Sequence, residues 1–109
     1  MYNEFSVPHE VLEDPKFKKL SSSAKVLYMN FCRLKNRYAD KDGWFFRSME
    51  ALSEDTGLKL RTLQNAKQAL RNSLFIDIVR GHYHEGFRHA DRYRANGYNL
   101  GFKEPTRKK

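Results

Sequence analysis

The chain carries one cysteine, Cys32, among its 109 residues, so no disulfide can form within it. Cys32 lies in a periodic apolar stretch without a flanking activator, which predicts a reduced, buried thiol. No apolar run approaches the roughly 20 residues needed to span a bilayer, and no charged-then-apolar leader opens the chain. These absences predict a cytoplasmic protein with no membrane association. Enzyme signatures are missing too: there is no phosphate-binding glycine loop, no HExxH and no Gly-x-Ser-x-Gly elbow. The nearest paired carboxylates, Asp40 and Asp42, fall in a turn sequence ending at Gly43, where they supply turn geometry. Neither catalysis nor a cofactor is expected.

The most informative absence is local. No Asp or Glu occurs from residue 57 to residue 75. Residues 1–57 hold nine Lys/Arg and nine Asp/Glu, whereas residues 58–109 hold twelve and four. The formal net charge of +8 therefore belongs to the second half. Such an asymmetric field attracts polyanions and adds a salt-dependent term to their binding. The alternative is a basic surface that only aids solubility.

Apolar residues at 39% and aromatic residues at 14% fit one packed domain rather than a disordered tail. Residues 1–19 read as a lead-in packed on the body, with a short helix over residues 8–12 and a second turn capped by Asp14. Phe5, Leu12 and Phe17 are its expected anchors. Ser21 or Ser22 caps a long helix whose apolar positions are Ala24, Leu27, Tyr28, Phe31, Leu34 and Tyr38, at spacings of three and four. Residues 44–46 (Trp-Phe-Phe) form a strand candidate, with at least two of the three rings expected in the core. Ser48 opens a helix that Gly57 closes. A third helix spans residues 60–73, followed by a strand over residues 75–80, a polar loop and a return strand over residues 92–96. Residues 101–109 read as a basic tail or linker.

The third helix carries the chemistry. Leu63, Ala66 and Leu70, joined at the ends by Leu60 and Leu74, form a narrow apolar stripe that should face the core. Arg61, Asn65, Gln68 and Asn72 centre on the opposite face at 100° per residue. Arg, Asn and Gln make bidentate contacts with base edges in the major groove. Arg61, Thr62, Asn65 and Gln68 are therefore the candidate base contacts, and Lys59, Lys67 and Arg71 the candidate backbone contacts. Lys67 lies nearer the core face and must snorkel outward to serve. A solvated helix would instead mix Glu with Lys.

In the following hairpin, Arg80, Arg88, Arg92 and Arg94 are candidate wing contacts to the backbone or minor groove. If Tyr93 faces inward, Arg92 and Arg94 face outward together. His82, His84 and His89 suggest a metal, but no fourth ligand accompanies them, so polar surface histidines, or phosphate contacts when protonated, are expected and no metal.

The order of helix, short strand, helix, tight turn, helix, strand, loop and strand describes a mainly α domain with a small β-sheet, the winged helix-turn-helix arrangement, over residues 20–100. The phrase Leu20-Ser-Ser-Ser-Ala-Lys-Val-Leu-Tyr28 resembles the opening of the winged-helix domain of plasmid and phage replication initiators. The lead-in from Phe5 to Phe17, the stretch from Gly43 to Ser48, Leu52-Ser-Glu-Asp-Thr-Gly57 and the segment from Lys59 to Leu70 continue the likeness, and Arg92-Tyr93 matches the wing's return strand. Lys59 departs from it, since the family often has a capping Ser there. Arg71-Asn-Ser73 departs too, replacing a common Glu-Glu-x-Gly. The resemblance implies binding of double-stranded DNA at origin repeats in replication initiation, with the replication machinery as a further partner; a homodimer and tandem monomers on repeated sites both stay open. A winged-helix transcriptional regulator of a mobile element would use the same DNA-facing chemistry, and a protein-interaction module would turn the basic helix to an acidic partner.

Overall fold

The computed structural model describes residues 7–81, 83–84, 86–88 and 90–95, with side chains at all of these except 83, 84, 87 and 88. Phe5 and the expected tail at 101–109 lie outside the described residues. Two short helices, α1 (His9–Glu13) and α2 (Pro15–Lys18), lead into the long α3 (Ser22–Tyr38). A strand, β1 (Phe45–Phe46), precedes α4 (Met49–Thr56) and α5 (Leu60–Asn72). Then come β2 (Ile76–Val79), a small hairpin of β3 (Tyr83–His84) and β4 (Phe87–Arg88), and β5 (Arg92–Ala95). Strands β1, β5 and β2 form one antiparallel sheet in that order. The fold is mainly α with a small β-sheet, a winged helix, as the sequence predicts. The loop expected between β2 and β5 contains the β3–β4 hairpin, which turns at Gly86 with φ +85°.

Local chemistry sets the boundaries. Asp14 accepts a hydrogen bond from the Lys16 amide at 2.8 Å and Pro15 occupies the first turn, so α2 starts there. Ser21 caps α3 through the Ala24 amide, and Ser48 caps α4 through the Ala51 amide, each at 3.1 Å. Asp40 accepts from the amides of Asp42 and Trp44, which shapes the turn before β1. The hydrogen bond from Trp44 is the main reason its carboxyl is held below the usual carboxylate range.

Two aromatic clusters grow from α3. Tyr28 meets Phe17 at 5.5 Å and Phe75 at 6.1 Å, joining the lead-in to the chain that follows α5. One turn on, Phe31 meets Tyr93 at 5.0 Å and Phe45 at 5.6 Å, joining α3 to the sheet. Such pairs add about 0.5–1.5 kcal/mol each beyond their buried area. Leu27, Leu34, Leu52, Leu63 and Leu70 fill the space between the helices.

The sheet alternates as its pleat requires. Phe45 is buried, while Phe46 is 62% exposed and Trp44 half-buried. One aromatic of residues 44–46 enters the core, not two, because neighbours on a strand point to opposite faces. Leu12 is another correction: it is exposed, and Val11 takes the core position on α1. Leu60, the first residue of α5, and Leu74, two residues past its end, both expected to extend the inner stripe, are 48% and 44% exposed.

Leu74 adopts φ +67°, a left-handed conformation that usually falls to glycine at a helix end. It lets the Phe75 amide reach the Leu70 carbonyl at 3.0 Å and drops the Phe75 ring into the core. A β-branched side chain tolerates this backbone worst. Leu74→Val should therefore be less stable than Leu74→Gly, by about 1 kcal/mol or more, even though Val keeps more apolar surface. Chemical denaturation of both variants checks the order. Cys32 is 6% exposed, and burial pushes its thiol up to about 11, while burial also raises the neighbouring Tyr28 hydroxyl. At pH 8 a thiol reagent should label the native chain at least ~100-fold more slowly than the denatured one. Similar rates would show that Cys32 is accessible.

Candidate nucleic-acid interface

The turn between α4 and α5 is built tightly. Gly57 takes φ +76° and its amide bonds the Ser53 carbonyl at 2.8 Å. The Ser53 hydroxyl donates to the Leu58 carbonyl at 2.7 Å, and Thr56 Oγ1 accepts from the Leu58 amide at 3.1 Å. The corner before α4 is fixed by Arg47, whose Nε and Nη2 bond the two oxygens of Asp55 at 2.9 and 2.8 Å. Bidentate, charge-assisted geometry makes this a firm joint. Together these contacts aim α5 with its apolar stripe inward: Leu63 and Leu70 are fully buried and Ala66 is 3% exposed.

The opposite face is open. Arg61, Gln64, Asn65, Gln68, Arg71 and Asn72 are exposed, and Thr62 is half-buried. Gln68 Nε2 donates to Asn72 Oδ1 at 3.3 Å, so these amides line up along the face. Among the described residues, the side chains of Arg61, Asn65 and Arg71 make no hydrogen bond or ion pair, and all three residues are exposed. The structure thus brings three of the four candidate base contacts onto one accessible face, with Thr62 at its edge. Lys59, a candidate backbone contact, stands at the N-cap of α5, exposed and without a side-chain capping bond.

Lys67 is the clearest correction. It does not snorkel outward: it is 8% exposed, with Nζ 3.6 Å from Asp91 Oδ2, 3.3 Å from Met49 Sδ and 5.0 Å from the centroid of the Tyr93 ring. The buried arc of α5 is wider than its apolar stripe because the base of the wing packs against it and brings a carboxylate. Asp91 is a functional residue that the sequence reading leaves unassigned; an acid just before the return strand of a basic hairpin is the signal that marks it.

Arg80 is exposed and shares a cleft of about 330 Å³ with Gln64, Lys67, Gln68, Arg71, Ile78 and Asp91. The wing and α5 therefore offer cations from both walls of one groove. Arg92 and Arg94 do face outward together while Tyr93 is buried, as predicted. Their guanidiniums are engaged within the fold, however, 4.9 and 4.6 Å from the Trp44 ring centroid, and Arg94 also bonds Asp77 at 2.8 Å. The side chain of Arg88 and those of His82, His84 and His89 lie outside the described ones. Among the described residues no cluster of His, Cys, Asp or Glu could hold a metal, and no helix is long and apolar enough to cross a membrane.

The family model described as a helix-turn-helix domain matches residues 18–73, from the end of the lead-in to the end of α5. The chain belongs to the helix-turn-helix domain family. Its α4 and α5 are the two helices of the motif, joined by the tight turn at Gly57. DNA binding is the function of this domain. Two solved structures are similar: one described as the N-terminal domain of a DNA binding protein (TM-score 0.65, 21% identity, covering 84% of this chain and 72% of that one), the other as the structure of a Rep-DNA complex (TM-score 0.63, 22% identity, 84% and 73%). They share the fold. No curated protein matches the chain.

The start of α5 lacks a side-chain cap at Lys59. Lys59→Ser should add a capping bond and raise the unfolding free energy by about 0.5–1 kcal/mol. The same change should weaken duplex binding at low salt. Denaturant titration and a duplex binding isotherm on one preparation check both signs.

Proposed function

We propose that this helix-turn-helix domain is a non-catalytic, sequence-specific binder of double-stranded DNA that recognises origin repeats in plasmid or phage replication initiation. The observation that carries the DNA reading is the open face of α5, where Arg61, Asn65 and Gln68 stand exposed in a stretch without a single acid. These side chains suit the donor and acceptor pattern of base edges in the major groove. Thr62 reads from the edge of the face, while Lys59, Arg71 and Arg80 hold phosphates and set the register. What favours replication is the likeness of residues 20–28 to the replication-initiator phrase, together with a structural neighbour described as a Rep-DNA complex. Repeated sites would be filled by tandem monomers or by a homodimer, and the bound array would then engage the replication machinery.

Selection of bound sequences from a random duplex pool tests this reading. Direct repeats matching a plasmid or phage origin are the expected result, and a single palindrome beside a promoter would replace replication with transcriptional control. Absence of binding to any duplex at low salt would sink the DNA reading. On the selected site, Asn65→Ala should lose about 1–3 kcal/mol of discrimination against random duplex. Lys59→Ala should weaken all duplexes evenly and reduce the salt slope by about 1. Equal losses on both duplexes for both variants would refute the division between reader and backbone contact.

A further inference from the structure

We propose that Lys67 and Asp91 form a latch that fixes the wing against α5, and that both are positioning residues for sequence-specific binding rather than DNA contacts. The proposal rests on the reading of α5 as the base-reading helix. Asp91 stands where the wing re-enters the sheet, one residue before β5. Its Oδ1 accepts the Gly81 amide at 2.8 Å, and Gly81 lies where the wing leaves β2. Its backbone carbonyl accepts the Arg47 amide at 3.3 Å, which ties the same point to the end of β1. The second carboxylate oxygen, Oδ2, faces Lys67 Nζ at 3.6 Å. One side chain therefore holds both feet of the wing and reaches the middle of α5.

The pair is shielded: the Lys67 and Asp91 side chains are 10% and 12% exposed. A shielded pair is screened little by salt, and its charges cancel. It therefore adds little to the long-range field that draws in a polyanion. Its effect is geometric. The cleft it lines carries Gln64, Gln68 and Arg71 from α5 and Arg80 from the wing side. Duplex phosphates are spaced rigidly along each strand, so cations on two separate elements engage them in register only if the elements keep their distance. Phosphate contacts in turn place the reading side chains over their bases. A supporting pair of this kind governs precision, which is read out as specificity.

The test uses the full chain with its selected duplex and a random duplex. Asp91→Asn keeps an oxygen for the Gly81 amide and removes the charge; Lys67→Met keeps the stem and removes the ammonium; Lys67→Arg keeps the charge. In the first two variants the ratio of specific to random affinity should fall about 10-fold, with random-duplex affinity and salt slope unchanged. Lys67→Arg should keep most of the ratio. A salt slope lower by about 1, with equal losses on both duplexes, would make Lys67 a direct phosphate contact and overturn the latch. An unchanged ratio in folded Asp91→Asn would reduce the pair to a stabilising role and overturn it as well. Hydrogen exchange reads the latch without DNA. Amides at 81, 83–84, 86–88 and 90–91 should exchange faster in Lys67→Met while those of α3 do not, and unchanged exchange there overturns the latch whatever the duplex assays give. A parent chain that binds no duplex would remove the functional reading itself, an outcome distinct from a parent that binds while the variants keep its ratio.

Discussion

Tyr93 fills the middle of the three-stranded sheet, opposite Phe45 on one neighbouring strand and Ile78 on the other, with the Phe31 ring 5.0 Å away. With that ring inside, β5 must turn Arg92 and Arg94 outward, and β1 must follow with Phe45 in and Phe46 out. The sheet can then lie on α3 in one register only, since a one-residue slip would exchange its buried and exposed faces. The wing leaves from this sheet and returns to it, so its base is set by the same packing. The Lys67 ammonium over the Tyr93 ring carries that constraint across to α5.

The α5 side depends on the same core through a different route. Tyr28, Phe17 and Phe75 lock the lead-in, α3 and the chain after α5 into one cluster, and Leu74 accepts a left-handed backbone so that Phe75 can join it. The left-handed backbone costs roughly 1–2 kcal/mol, while full burial of a side chain like Phe75 contributes about 1.5–3 kcal/mol. The exchange favours the cluster. The consequence for binding is that α5 is gripped at its end as well as along its stripe, which leaves the outer face as a rigid display.

Much of this was legible in the residues. Serine caps at Ser21 and Ser48, the glycine stop at Gly57 and the three-four spacing in α3 and α5 each act within a turn or two of the chain, so they place the helices without knowledge of the tertiary fold. The outer face of α5 was equally readable, because exposure there follows from what the inner stripe buries. What failed needed long-range partners. Lys67 reads as a surface cation until Asp91, 24 positions away, is brought beside it. Arg94 reads as a wing contact until Asp77 and Trp44 meet it across the sheet. Leu60 and Leu74 fit the apolar period, but at and beyond the ends of α5 they are only about half covered. Val11 and Leu12 are adjacent on a five-residue helix, too short a run for periodicity to choose between them.

The composition of the α5 face bears on how binding can be regulated by acidity. Its outward side chains are arginine, lysine, threonine and the two amides, with no histidine, cysteine or carboxylate. A surface of that kind presents the same donors in a mildly acidic solution as in a neutral one, whereas imidazoles change charge in that interval. The histidines of this half of the sequence, at 82, 84 and 89, all belong to the wing. The sequence thus separates an α5 face without imidazoles from a segment between β2 and β5 that holds three. On the proposed reading of α5 as the base-reading helix, base preference is therefore indifferent to mild acidification.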